Sequence, residues 1–210
     1  MKKTQATILR EYGPFPGVDQ VAGVTFDGKQ VWFAAGDKIN ALDPDSGQVA
    51  RRIDVAADAG TAFDGRHLWQ IAEKRIHKID PRTGKVLATI PAPGQGCDSG
   101  LTWAEGTLWV GQYQERKIHQ IDPATGRILR TVESDRFVTG VTWVDGALWH
   151  ATWENDQGEL RRVDPQSGAV LERLEMPAGK MVSGLEAGGD RFYCGGGRSG
   201  KVRAVRRPVG

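Results

Sequence analysis

Cysteine is scarce in this sequence, with only Cys97 and Cys194 among 210 residues. The two form no C-x-x-C pair, and neither stands at a metal-ligand spacing from a histidine, which excludes the common zinc motifs. Because 39% of the residues are hydrophobic, the chain can build a core without a disulfide. We therefore predict two free thiols, no bound metal and no other cofactor.

Long apolar stretches are missing as well. There is no run of about 18 apolar residues that could cross a membrane as a helix. The N-terminus carries Lys2 and Lys3, but polar residues between Gln5 and Glu11 interrupt the apolar segment that a signal peptide requires. We therefore expect a cytoplasmic protein without a membrane partner. A secreted parent trimmed of its signal peptide would have the same sequence.

Neither sign of charge is in excess, since 28 basic and 26 acidic residues leave a formal net charge of +2. A dedicated nucleic-acid-binding protein carries a larger positive excess, so no nucleic-acid partner is expected. One basic cluster lies near the C-terminus, and we interpret it as a solvated strand edge, with a site for an anionic partner as the alternative. Its members are Arg198, Lys201, Arg203, Arg206 and Arg207.

What the sequence does contain is an internal repeat. In its commonest form, a glycine precedes an apolar residue, a threonine and an aromatic residue, and the glycines are 37, 40, 40 and 44 residues apart. A period of about 40 residues with short β-type segments is typical of a β-propeller with one blade per repeat. A β-sandwich would not require one ordered pattern five times. The glycines are Gly23, Gly60, Gly100, Gly140 and Gly184.

The repeat predicts blades of four short strands. An Asp-Gly or Glu-Gly pair in most repeats follows the first strand and favours a two-residue hairpin. A large aromatic residue at one place in the second strand, as at Trp69 and Trp109, suits the interface between blades. An Asp-Pro-x-[Ser/Thr]-Gly turn, as in residues 80–84, separates the third and fourth strands. This sequence favours a turn because proline fixes φ near the value that the turn needs and glycine adopts the left-handed conformation at its end.

The fifth repeat lacks a fourth strand, and the N-terminus offers one. Residues 5–10 resemble, in residue types, the predicted fourth strand in residues 86–90. We therefore predict an all-β single domain over residues 1–210, a five-bladed propeller of four-stranded blades closed by the N-terminal strand pairing into the last blade. The predicted blades are residues 20–55, 56–93, 94–134, 135–177, and 178–210 together with 4–12.

One face of this propeller is predicted to carry the functional site. Its connections between blades, and between the second and third strands, vary from repeat to repeat, and binding residues concentrate on such loops. The turns of the other face are nearly uniform because the fold demands them. The predicted site is the channel mouth on the variable face, with Asp58, Cys97, Asp98, Arg136 and Lys180 around it and Tyr113, Trp153 and Glu154 as walls.

Two of these residues, Asp58 and Asp98, occupy the same place in successive repeats. Two carboxylates near one axis could hold a cation or take part in acid-base chemistry. The interpretation we favour for each taken singly is that it caps the start of a strand. Cys97 has no histidine placed beside it by the repeat, so a nucleophilic role is not favoured.

The repeat resembles two propeller families. Its pattern x-G-[VL]-T-[FW]-x-[DE]-G-x-L-W, followed by I-D-P-x-[ST]-G, is similar to the plant and bacterial glutaminyl-peptide cyclotransferases and to YncE-like propellers of the YVTN and PQQ-like type. The first of these families is also five-bladed, with its active site at the channel mouth. The resemblance places Trp153 at a family tryptophan and Asp98 in the segment where the family carries an acidic residue.

We therefore expect a monomeric propeller that binds a small molecule or peptide through the side chains at its channel mouth. The resemblance implies an alternative, an enzyme that cyclises N-terminal glutamine by attack of the α-amine on the side-chain amide, with loss of ammonia. In that enzyme Asp98 or Glu154 would carry the proton while Trp153 packs against the substrate.

Overall fold

The computed structural model describes residues 2–208, which fold into 21 strands without a helix. Within this range, therefore, nothing forms a helix long and apolar enough to span a membrane. Residues 1, 209 and 210, which the predicted domain includes, lie outside the described part of the chain.

Two strands precede the first repeat, β1 (Lys2–Gln5) and β2 (Ile8–Tyr12). Blade 1 contains β3 (Val24–Phe26), β4 (Val31–Ala34), β5 (Gly36–Leu42) and β6 (Val49–Ala57). Blade 2 contains β7 (Thr61–Phe63), β8 (Leu68–Ala72), β9 (Arg75–Ile79) and β10 (Val86–Pro91). Blade 3 contains β11 (Asp98–Ala104), β12 (Thr107–Gln112), β13 (Lys117–Ile121) and β14 (Ile128–Glu133). Blade 4 contains β15 (Val138–Val144), β16 (Ala147–Glu154), β17 (Gln157–Val163) and β18 (Val170–Glu175), and blade 5 contains β19 (Leu185–Gly188), β20 (Arg191–Gly195) and β21 (Val202–Arg206).

The first strands of the five blades surround a central axis. Strands β3, β7, β11, β15 and β19 contact one another in that order, and β19 also contacts β3, so the ring is closed. Within each blade the strands follow one another as antiparallel neighbours. The predicted five-bladed propeller is confirmed.

The N-terminus closes the ring, but the strand boundaries differ from the prediction. Strand β2 pairs antiparallel with β21, where Ile8 lies opposite Val205, and so supplies the fourth strand of blade 5. Gln5, expected in the same strand, instead ends β1, which runs parallel to β18 as a fifth strand on blade 4. The ion pair between Lys3 and Glu175, at 2.7 Å, helps to fix β1 on that edge.

The repeated glycine is required by the close approach of the inner strands. A Cβ atom on Gly60 would lie 2.4 Å from the backbone nitrogen of Leu101, and one on Gly140 would lie 2.7 Å from that of Leu185. In both cases the obstructing atom belongs to the inner strand of the next blade. These distances are far inside van der Waals contact, so only glycine lets the five inner strands pack around the axis.

Aromatic side chains pack between blades, as predicted. The Trp69 and Trp103 rings stack at 5.9 Å between blades 2 and 3, and the Trp109 and Trp143 rings stack at 5.5 Å between blades 3 and 4. The blades are thus joined by large apolar surfaces on their flat sides.

The turn after the first strand takes two forms. In blade 2 the turn spans the four residues 64–67. The Asp64 carboxylate stabilises it by accepting hydrogen bonds from the backbone nitrogens of Arg66 and His67, and it also accepts one from the Trp69 indole at 2.9 Å. The corresponding turn of blade 1 is built in the same way. The predicted two-residue hairpin is therefore wrong for these blades, and it occurs at Glu105–Gly106 and at Asp145–Gly146.

The basic cluster near the C-terminus does not form one surface. Arg203 is buried and donates to Glu11 at 2.8 Å, and Lys201 donates to the same carboxylate at 3.1 Å. These hydrogen bonds lower the pKa of Glu11 to about 2. Arg207 pairs with Asp145 of blade 4 instead. Arg203 lies within β21, whereas Arg207 follows the end of that strand, so the two side chains pair with different parts of the molecule.

Candidate functional site

A cavity of about 590 Å³ lies at the mouth of the central channel. Every blade contributes to its lining the small residue that precedes the repeated glycine. Because the glycines draw the inner strands together, these short side chains leave room for a ligand directly above the axis. The five residues are Ala22, Ala59, Ser99, Thr139 and Ser183.

Four of the predicted site residues line this cavity together. Asp58 and Asp98 supply carboxyl groups, and Tyr113 and Trp153 supply aromatic surface. Asp58 is exposed, whereas Asp98 is 8% exposed. The mouth cavity therefore lies on the predicted variable face. Further lining residues, which the prediction did not include, are Gln20, Met181 and Arg198.

Asp98 has the most distinctive environment of these four. It begins β11 opposite Gln112, and the backbone nitrogen of Gly94 donates to both of its carboxyl oxygens, at 2.9 and 3.0 Å. Burial raises the pKa of Asp98 above its ordinary value, although the hydrogen bonds from Gly94 and Gln112 favour the ionised form. Asp98 therefore holds the loop that enters blade 3 and is also part of the lining of the mouth cavity.

Glycine at position 94 permits this contact. A Cβ atom there would lie 2.6 Å from Oδ1 of Asp98 and 2.9 Å from Nε2 of Gln112. The loop that enters blade 3 is therefore shaped around the carboxyl group.

Cys97 lies at the rim. It is exposed, and it lines a neighbouring cavity of about 250 Å³ together with Asp98 and Tyr113. Both cysteines are free, as predicted. Cys194 is buried, which raises the pKa of its thiol to about 12.

The remaining three predicted residues lie outside the lining of the mouth cavity. The Glu154 carboxylate accepts a hydrogen bond from Arg116 at 2.8 Å and lies 3.5 Å from Nε of Arg136. Lys180 lies 3.7 Å from Glu11. These side chains belong to the face that carries the mouth cavity, but ion pairing with neighbours directs them away from its lining.

A second buried carboxyl group, absent from the predicted set, lies below the cavity. Glu186 of β19 is 9% exposed and accepts hydrogen bonds from the hydroxyls of Thr25 in blade 1 and Thr142 in blade 4. Burial raises its pKa to about 7. The sequence signal was present, because Glu186 occupies the repeat position that holds threonine in blades 1, 3 and 4.

The site offers no evident metal centre. Within residues 2–208, no three His, Cys, Asp or Glu side chains are grouped so that they could hold a metal ion.

Fold and cavity together define a five-bladed β-propeller with a cavity of mixed polar and apolar lining at its channel mouth. The sequence profile of the PQQ-like repeat family described as outer membrane protein assembly factor BamB matches residues 35–128 and 72–210. The chain belongs to this family of PQQ-like repeat propellers. No curated protein matches the sequence.

Solved structures show the same architecture. Glutaminyl cyclase from Myxococcus xanthus has a TM-score of 0.80 at 17% identity, and the match covers 98% of this chain and 97% of that one. The β-propeller domain of Cps50 (Swd1) from Myceliophteria thermophila has a TM-score of 0.62 at 10% identity, covering 97% of this chain and 100% of that one. Hydrazine synthase from Kuenenia stuttgartiensis has a TM-score of 0.53 at 16% identity, covering 85% and 56%. At these identities the likeness establishes the fold alone.

Proposed function

We propose that the mouth cavity binds a small molecule or a short peptide. The observation that carries this proposal is the convergence of all five blades on one cavity, whose lining contains Asp98 together with Tyr113 and Trp153. A buried carboxyl next to aromatic side chains is a common arrangement for orienting a polar ligand in an apolar surround.

The charges of the lining favour a ligand with a cationic group. Asp58 and Asp98 are both acidic, and Arg198 is the basic member of the lining. An ammonium group would be attracted to the carboxylates and to the faces of the aromatic rings. The N-terminal amine of a peptide carries such a group. Arg198 would then donate a hydrogen bond to a carbonyl oxygen of the peptide.

A second candidate is a glutaminyl cyclase-like enzyme. Two observations favour it, the TM-score of 0.80 to the Myxococcus xanthus glutaminyl cyclase over nearly the whole chain and the raised pKa of Asp98. In this reaction the α-amine nitrogen of N-terminal glutamine forms a bond to the side-chain amide carbon, and the bond from that carbon to the amide nitrogen breaks. Asp98 would take a proton from the amine and return one to the departing nitrogen, which leaves as ammonia. Glu154 is less suited to this role because two arginines engage its carboxylate.

Replacing Asp98 with asparagine is expected to weaken peptide binding about tenfold, since the cationic amine loses its charged partner. Isothermal titration calorimetry with glutaminyl-phenylalanine, and with its N-acetylated form, measures this effect. Ammonia release from the same dipeptide is measured in parallel. If the second candidate is correct, the variant should release ammonia about a hundredfold more slowly than the wild type.

Asp45→Asn serves as the control, because Asp45 lies exposed in a turn on the opposite face. The binding function is supported if Asp98→Asn weakens binding and Asp45→Asn leaves it intact. Ammonia release that accompanies binding supports the glutaminyl cyclase-like activity. Binding that both variants retain would show that the dipeptide binds elsewhere. Equal binding of the acetylated dipeptide would contradict recognition of the amine.

A further inference from the structure

The Tyr113 wall of the cavity is supported by a chain of contacts from blade 3 to blade 4. The Tyr113 ring packs on the Phe137 ring at 4.8 Å. The guanidinium carbon of Arg116 lies 4.6 Å from the centre of the same Phe137 ring. Arg116 also donates to the Asp135 carbonyl at 3.2 Å. Phe137 is therefore held between the wall residue and a cation that is itself anchored.

The Trp153 wall is connected to the same cation from the other side. Trp153 is followed directly by Glu154, whose carboxylate accepts from Nη2 of Arg116 at 2.8 Å. The backbone carbonyl of Glu154 accepts from Arg136 at 3.0 Å. Both the side chain and the main chain next to Trp153 are thus fixed by arginines of the blade 3–blade 4 junction.

These contacts continue into a buried ionic network. Arg136 lies 3.5 Å from Glu159, and Glu159 accepts from Nε of Arg161 at 2.6 Å. Arg161 is 1% exposed. An isolated ion pair at the surface holds its partners loosely. Here the pair of Arg116 and Glu154 is joined to a buried arginine through shared partners, so its geometry is constrained.

We propose that the ion pair of Arg116 and Glu154 is a positioning device that sets the separation of Tyr113 and Trp153 across the mouth cavity. Its consequence for ligand binding rests on the proposed function, whereas the positioning itself does not. The pair is connected to Tyr113 through Phe137 and to Trp153 through the backbone of β16. Loss of the pair should let the walls move independently and reduce their fit to a ligand.

Fluorine NMR on protein labelled with 3-fluorotyrosine tests the positioning directly. The chain has three tyrosines, of which Tyr12 and Tyr193 are each 3% exposed and remote from the pair, and Tyr113→Phe assigns the third signal. Glu154→Ala should shift or broaden the Tyr113 resonance and leave the other two in place. Arg116→Ala should do the same, and Glu154→Gln, which can still accept from Arg116, should restore most of the wild-type position.

The matched control is Glu175→Ala. Glu175 pairs with Lys3 at 2.7 Å, and its side chain is 22% exposed, compared with 20% for Glu154. This control should leave all three resonances unchanged. A Tyr113 resonance that stays in place in Glu154→Ala would overturn the proposal. If all three signals moved, the ion pair would be a general support of the fold, which would also overturn it.

A ligand measurement separates this proposal from the proposed function. Glu154→Ala should weaken binding of glutaminyl-phenylalanine about fivefold, while Glu175→Ala should not change it. If the wild type does not bind the dipeptide, the proposed ligand class is wrong, but the fluorine spectra still decide whether the pair positions Tyr113. If Tyr113 moves and binding is unchanged, the pair positions the wall without a role in selecting the ligand.

Discussion

Replacing Gly60 with alanine is expected to destabilise the protein by about 4 kcal/mol, because the new methyl group collides with backbone and not with a movable side chain. Its Cβ would lie 2.4 Å from the nitrogen of Leu101 and 2.6 Å from the carbonyl carbon of Gly100. Relief requires blade 2 to move away from blade 3. In a closed ring such a movement also disturbs the other inner-strand contacts.

Gly189→Ala is the comparison for this prediction. Gly189 has a φ of +61°, and an added Cβ would meet nothing within 4 Å, so only backbone strain of about 1 kcal/mol is expected. Urea unfolding of both variants measures the difference. Equal losses of stability would show that the inner strands can separate without cost and that the glycine ring is not what fixes the five-bladed packing.

The architecture could be predicted because the blades repeat the same short sequence motifs at the same places. The recurrent glycine and the aromatic residue of the second strand occur in all five repeats and the Asp-Pro turn in four, and this recurrence reveals the physical role of each. Strand β1 could not be predicted in the same way. All four of its residues, Lys2–Gln5, are exposed, so it leaves no alternation of apolar and polar residues. Its pairing with β18 depends on backbone hydrogen bonds and surface ion pairs that a pattern does not show.

The candidate site could be predicted only for side chains whose direction follows from their place in the repeat. Asp98 and Trp153 reach the cavity because their places in the blade point them there. Glu154 and Lys180 belong to the same face but are drawn to Arg116 and Glu11. Such choices among ion-pair partners depend on contacts between blades, which are distant in sequence. Glu186 is the opposite case, since its departure from the aligned threonines was visible in the sequence.

Glu186 should make the protein less stable as the pH rises. Its pKa in the folded protein is about 7 against an ordinary value of 4.5, because burial opposes ionisation more than the hydrogen bonds from Thr142, Ala187 and Thr25 favour it. Well below pH 4.5, both folded and unfolded chains hold this proton, so the group has no effect. Above this range the unfolded chain ionises first, and the free energy of unfolding falls until the folded group ionises as well. The full difference corresponds to about 3 kcal/mol near pH 8.

Glu186→Gln isolates this contribution, because the amide keeps the shape of the carboxyl group and can hydrogen-bond the same threonines without ionising. The free energy of unfolding in urea, measured for both proteins between about pH 4.5 and 8, should show the variant gaining stability over the wild type as the pH rises. Groups with lowered pKa values, such as Glu11, titrate at more acidic pH and are present in both proteins, so they cancel in the difference. Curves that remain parallel across this range would mean that Glu186 is ionised in the folded protein at low pH. The junction of blades 4, 5 and 1 would then have to solvate a carboxylate, which its two threonine hydroxyls and one backbone amide would not achieve alone.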